Sequence, residues 1–134
     1  MKDNRATFIR ILALSAAMSA PALALSNPLV VDLRAANGPQ TEASATIFGS
    51  GSSVLVNVRG QGNLPKTAAV TLNDGDCAKP GEVAFALSGI ADNQSLTQLA
   101  HPLADVAEKA KSLVIHQTSS ETSPAFACGK LTND

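Results

Sequence analysis

Short apolar segments separated by turn-forming residues most constrain what this chain can fold into. In the segment 54–59 (VLVNVR), every second residue is a valine, and two of the residues between and after them, Asn57 and Arg59, are polar. This period of two predicts a half-buried strand. The segment 41–48 (TEASATIF) precedes it across the glycine- and serine-rich turn 49–53 (GSGSS). The two segments therefore predict a β-hairpin.

Eight such segments follow one another along the chain. They are residues 29–33, 41–48, 54–59, 68–72, 82–87, 95–100, 112–116 and 125–131. Only the segment 102–111 (PLADVAEKAK) departs from this pattern, because Leu103, Val106, Ala107 and Ala110 fall on one helical face. The sequence therefore predicts an all-β sandwich or flattened barrel of about eight strands, with one short helix that begins near its proline.

The first 24 residues have the organisation of a secretory signal peptide. Lys2, Arg5 and Arg10 make a basic start, and residues 8–24 (FIRILALSAAMSAPALA) form a mostly apolar stretch that ends in small residues. The stretch falls short of the roughly 20 apolar residues that span a bilayer. We expect cleavage after residue 24 and export to the periplasm or the exterior, as for a bacterial protein, with no integral membrane segment in the remaining chain.

Removal of 24 of the 134 residues would leave one domain, residues 25–134. Three of the ten basic and one of the eleven acidic residues lie in the signal, so this domain carries seven basic and ten acidic residues, a net charge of −3. Such a balance argues against nucleic acid or an anionic membrane as a partner. The domain also lacks Trp and Tyr, which argues mildly against a carbohydrate- or peptide-binding surface.

The domain has two cysteines, Cys77 and Cys128. An even count in an exported protein predicts one disulfide, and the spacing excludes a CxxC redox pair. A metal site shared between cysteine and histidine is the remaining alternative.

Several segments occur in the order found in copper/zinc superoxide dismutases. The stretch VLVNVRGQGNLPKTAAVTLNDGDC resembles that family's strand, Gly-Leu loop, ligand strand and turn before the disulfide cysteine. CAKPGEVAFAL corresponds to the loop after that cysteine, SLVIH to a strand that ends in a copper ligand, and ACGKL to the last strand. The resemblance covers residues 41–131. It implies a Greek-key β-sandwich in which Cys77 pairs with Cys128.

The sequence departs from the family at the metal ligands. The positions of the His-x-His pair correspond to Val70 and Leu72, within one residue, and neither side chain binds a metal. The segment that would carry the zinc ligands has Glu82 as its one carboxylate. The family's arginine before the last cysteine is also replaced, since the tripeptide there is Ala-Phe-Ala. His116 alone stands where the family has a copper ligand.

Three interpretations of His116 are open. It is either a strand-end histidine that hydrogen-bonds the backbone, or a weak copper or zinc ligand together with His101 and a carboxylate such as Asp105, or a general base. The last interpretation lacks an activated nucleophile among the nearby serines. Copper(II) prefers several imidazole ligands, and the whole domain has two histidines.

We therefore expect a non-catalytic exported protein with a binding or structural role, no catalytic residues and no cofactor. Its partner would be an unidentified protein or small molecule. The alternative is a copper- or zinc-binding protein, or a residual superoxide dismutase, that uses a reduced metal site around His116.

Overall fold

A computed structural model describes residues 28–131 of the chain. The predicted signal peptide, residues 1–24, lies outside the described residues. The elements are β1 (Leu29–Ala35), β2 (Thr41–Ser50), β3 (Ser53–Gly60), β4 (Val70–Asn73), β5 (Val83–Leu87), β6 (Gln94–Leu99), α1 (Leu103–Lys109), β7 (Ser112–His116) and β8 (Ala125–Lys130). The eight predicted strands are all present, with ends that differ from the predicted ends by a few residues.

The eight strands form one antiparallel sheet in the order β5-β4-β7-β8-β1-β2-β3-β6. Two residue pairs, Arg34 with Cys128 and Ala35 with Ala127, join β1 to β8. The sheet therefore has two four-stranded halves: the β2–β3 half (β1, β2, β3, β6) and the β4–β7 half (β5, β4, β7, β8). The connections 61–69, 88–93 and 100–111 cross between the halves, which gives the Greek-key topology.

The two ends of this sheet, β5 and β6, also approach each other. The backbone N–H of Ser88, just after β5, donates to the hydroxyl of Thr97 on β6 at 2.8 Å. The hydroxyl of Ser95 donates back to the Ser88 carbonyl at 2.6 Å. Side-chain hydrogen bonds thus nearly close the sandwich into a barrel, and the predicted fold class is confirmed.

The core lies between the two halves and follows the alternation seen in the sequence. Val54, Val56 and Val58 of β3 are fully buried, whereas Leu55 and Arg59 point outward. The predicted hairpin of β2 and β3 closes at the pair Ser50–Ser53, where Gly51 has a φ of +60°. Glycine suits this position because the tight turn requires a positive φ, which residues with a side chain rarely adopt.

Helix α1 is shorter than the predicted segment 102–111. Pro102 is its N-cap instead of a residue of its first turn, and Ala110 is already extended. Val106 and Ala110 are buried, while Ala107, predicted on the same face, is exposed. No helix among residues 28–131 has the length and hydrophobicity needed to cross a membrane.

Candidate functional site

Strands β4 and β7 are buried over their whole length. Alternate side chains of each strand lie in the core, and the others point outward, beneath the loops 74–82 and 117–124. The outward-facing side chains are Thr71, Asn73, Ser112, Val114 and His116. The Ser112 hydroxyl donates to a backbone carbonyl of the 74–82 loop at 2.7 Å. The fold thus creates a second, largely polar interior on the outer face of the β4–β7 half.

The 74–82 loop is fastened at several points. Cys77 and Cys128 form a disulfide with an S–S distance of 2.07 Å, which confirms the predicted bond and ties the loop to β8. The carboxylates of Asp74 and Asp76 each accept a backbone N–H from a later residue of the same loop, both at 2.9 Å. These carboxylates therefore have the turn-stabilising role that is common for aspartate.

His116 lies at the centre of the buried polar face and is 5% exposed. Its Nδ1 lies 2.9 Å from the carbonyl oxygen of Ser123, and its Nε2 lies 2.9 Å from the Thr71 hydroxyl. The Thr71 hydroxyl is itself 2.6 Å from the side-chain oxygen of Asn73. The three side chains Thr71, Asn73 and His116, which we call the polar cluster, are thus joined in one hydrogen-bonded chain.

The positions of the hydrogens in the polar cluster follow from its partners. A carbonyl only accepts, so Nδ1 of His116 must donate to Ser123. The Thr71 hydroxyl donates to the Asn73 side-chain oxygen, and their separation of 2.6 Å is typical of an O–H···O bond. The Thr71 oxygen also lies within hydrogen-bond distance of Nε2 of His116.

The resemblance to copper/zinc superoxide dismutases places the missing ligand positions at Val70 and Leu72, within a margin of one residue. Both side chains lie in the hydrophobic core. The side chains beside His116 are Thr71 and Asn73, one position further along the chain. The alternation of polar Thr71 and Asn73 with apolar neighbours was the signal that could have identified them, because successive strand residues face opposite sides.

The other predicted ligands are not assembled around His116. The His101 ring packs edge-on against Phe85, with ring centroids 5.1 Å apart. Asp105 lies on α1 and is exposed. Within residues 28–131, no group of three or more His, Cys, Asp or Glu side chains is placed to hold a metal ion. One imidazole, one hydroxyl and one amide do not fit copper or zinc, which both favour several nitrogen or sulfur ligands.

An open cleft of about 480 Å³ lies beside the polar cluster. His116, Asn73 and Val114 line its floor, and its walls come from residues 80–83 and 121–125. Cavities of this volume commonly accept small organic molecules. Sequence reasoning missed this cleft because two loops distant in the chain form its walls.

The large exposed apolar residues of the β2–β3 half lie close together on its outer face. Phe48 and Leu55 are cross-strand neighbours. Val30 and Leu96, 61% and 58% exposed, lie diagonally beside Phe48 and Leu55 respectively in the strand register. Diagonal neighbours are within reach of aromatic and long side chains, so the four residues are neighbours on one face.

Comparison with known proteins adds to the description of the fold. The sequence matches no protein-family model and no curated protein. Among solved structures, the Cu/Zn superoxide dismutase from Brucella abortus is similar, with a TM-score of 0.52 and 17% sequence identity over 79% of this chain and 100% of that chain. Identity at this level speaks for the fold alone. The protein therefore has a superoxide dismutase-like fold.

Proposed function

We propose that this protein is an exported, non-catalytic superoxide dismutase-like protein with a binding or structural role in the periplasm or outside the cell. The observation that carries the proposal is the polar cluster. A hydroxyl and an amide lie where a metal centre would need further nitrogen ligands, and both ring nitrogens of His116 already have protein partners. His116 is thus a structural residue that connects β7 to β4 and to the 117–124 loop.

Export is supported by two independent features. The segment 1–24 has the basic start, apolar stretch and small-residue end of a cleaved signal. The disulfide between Cys77 and Cys128 is of the kind that persists in oxidising compartments. We propose that the functional protein is the domain 25–134.

Between the two kinds of partner, a small molecule has the better support. A binding site for a protein on an edge strand would need a continuous apolar surface along that strand, and on β6 the exposed Leu96 lies between the exposed polar residues Gln94 and Gln98. The cleft beside His116, by contrast, has the volume and mixed polarity of a ligand site. A binding role through this cleft is therefore favoured over a purely structural one.

Metal loading tests the proposal against a copper or zinc protein that uses His116. The mature protein and its His116→Ala variant would each be incubated with excess copper and with excess zinc, desalted, and analysed for bound metal. We expect equally low metal in both proteins and no superoxide dismutation. Stoichiometric metal in the wild type that the variant loses, or measurable dismutation, would contradict the proposal.

A further inference from the structure

The outer face of the β2–β3 half carries one large exposed apolar residue on each of its four strands. These residues are Val30, Phe48, Leu55 and Leu96. Their exposed fractions range from 37% to 61%, and the residues around them on the face are polar. Neighbouring apolar side chains with a polar surround are typical of a surface that another molecule covers.

The strand register places the outward-facing residues in rows that cross all four strands. In the strand order β1-β2-β3-β6, the central row is Val30, Thr46, Asn57 and Leu96. This row has apolar side chains at both ends and uncharged polar side chains in the middle. In the next row, Phe48 of β2 pairs with Leu55 of β3. Both rows are therefore symmetrical in chemistry about the line between β2 and β3.

This symmetry makes the outer face complementary to a second copy of itself. In an isologous dimer, a two-fold axis brings a residue i against a residue j of the partner, and j against i. An axis that runs along the strands, between β2 and β3, lays β2 over β3 of the partner and β1 over β6 of the partner. Phe48 then meets the partner's Leu55. Val30 meets the partner's Leu96.

The charged residues of the face fit the same axis. The third row contains Asp32 on β1 and Arg59 on β3, with the uncharged Ser44 between them. The axis places Arg59 over the partner's Ser44, next to the partner's Asp32. Two such pairs of opposite charge form in the dimer, and no like charges of these three rows face each other. Charge complementarity of this kind suppresses wrong partners and fixes the register of the two copies.

We infer that this outer face is the interface of a weak homodimer. Neighbouring strands lie about 4.8 Å apart, and same-face residues follow each other every 6.8 Å or so along a strand, so three rows on four strands cover roughly 20 Å by 20 Å. Two such faces bury on the order of 1,000 Å², which is the size of a weak specific interface. The face belongs to the opposite half of the sandwich from the cleft beside His116. The inference therefore goes beyond the proposed binding function and is independent of it.

Analytical ultracentrifugation tests the association. The protein would be expressed as the full chain, purified, and studied from about 10 µM to about 1 mM, because interfaces of this size are weak. We expect a monomer–dimer equilibrium. Val30→Glu should raise the dissociation constant of the dimer about tenfold or more, since it places a carboxylate against the partner's Leu96. Val83→Glu makes the same change at an exposed position of β5, outside this face, and should leave the constant unchanged.

Charge exchange tests the orientation of the two copies. Asp32→Arg and Arg59→Asp should each weaken self-association, because each variant brings like charges together across the axis. A mixture of the two variants restores an opposite pair at both places, so it should associate about as tightly as the wild type. A substitution that merely damages the fold would not be rescued by the other variant.

A contact between methyl groups would report the second copy directly. Within one chain, Val30 and Leu96 lie on strands three positions apart, a distance of about 14 Å, which is too far for a nuclear Overhauser effect. In the dimer these two side chains face each other. We therefore expect an effect between their methyl groups that grows with protein concentration.

Three results would overturn the inference. One is wild-type protein that remains monomeric at the highest concentration, which would leave this face to a different molecule. Another is an equal dissociation constant in Val30→Glu and the wild type, which would place self-association on another face. The third is a mixture of the charge variants that associates no better than either variant alone. Bound copper or zinc that depends on His116 would overturn the proposed function and leave this inference standing.

Discussion

Replacement of Thr71 by valine should destabilise the protein although valine has nearly the same shape. Thr71 is fully buried, and its hydroxyl is the one atom that links His116 to Asn73. Valine keeps the β-branched shape that suits a strand and removes only that hydroxyl. The variant therefore isolates the hydrogen bonds of the polar cluster from its packing.

The expected size follows from the groups that lose a partner. Nε2 of His116 and one end of the Asn73 amide would each be left without a hydrogen bond at positions that are 5% and 4% exposed. An unsatisfied buried polar group costs about 1–3 kcal/mol. Both residues line the open cleft, so water entering there recovers part of this cost. We expect the free energy of unfolding to fall by about 2 kcal/mol.

Urea unfolding of the oxidised protein would measure this change. Thr46→Val is the matched control, because Thr46 is a half-buried residue on the outer face of β2, remote from the polar cluster. Its effect should remain within about 0.5 kcal/mol, as for ordinary surface substitutions. If Thr71→Val destabilises the protein no more than Thr46→Val does, the polar cluster does not stabilise the fold and our reasoning about it is wrong.

Three further predictions concern the 74–82 loop and the imidazole ring of His116. Alkylation without reduction should label neither Cys77 nor Cys128, and free thiols in the oxidised protein would refute the disulfide. The variant with both cysteines replaced by serine should lose about 4 kcal/mol of stability, because the disulfide closes a loop of 51 residues. Gly75→Ala should destabilise the protein by more than about 1 kcal/mol in urea unfolding, since its new methyl group would collide with loop backbone. Gly62→Ala, whose methyl group would meet the Glu42 carboxylate at an ordinary contact distance of 3.8 Å, should be nearly neutral. Equal effects would contradict the observed loop path. In long-range ¹H–¹⁵N NMR spectra, a neutral His116 ring should carry its hydrogen on Nδ1, which lies 2.9 Å from the accepting carbonyl oxygen of Ser123; a hydrogen on Nε2 alone would contradict this contact.

The strands of the β2–β3 half were predictable because one of their faces is solvated. In β3, polar Asn57 and Arg59 alternate with buried valines, so the sequence itself reports which face lies inside. The β4 strand lacks a solvated face, and its residues from Val70 to Asn73 are all buried. With both faces buried, the sequence did not say which face of β4 lies beside His116, so the resemblance placed the ligand positions only within one residue.

The disulfide and the position of His116 at the end of β7 were also within reach of sequence reasoning. The cysteine count predicted the bond, and the resemblance implied its partners. The contacts of His116 were not predictable, because Thr71 lies 45 residues away and approaches through pairing of β4 with β7. The cleft likewise depends on the conformations of the two loops that contain residues 80–83 and 121–125, and no local sequence pattern specifies these conformations.

The metal content of the protein purified from its own compartment tests the central claim most directly. Elemental analysis of this protein, without added metal, measures the copper and zinc that it acquires in the cell. The hydrogen-bonded polar cluster of His116, Thr71 and Asn73 predicts copper and zinc far below one equivalent per chain. One equivalent of either metal, retained by the wild type and lost in His116→Ala, would contradict the account.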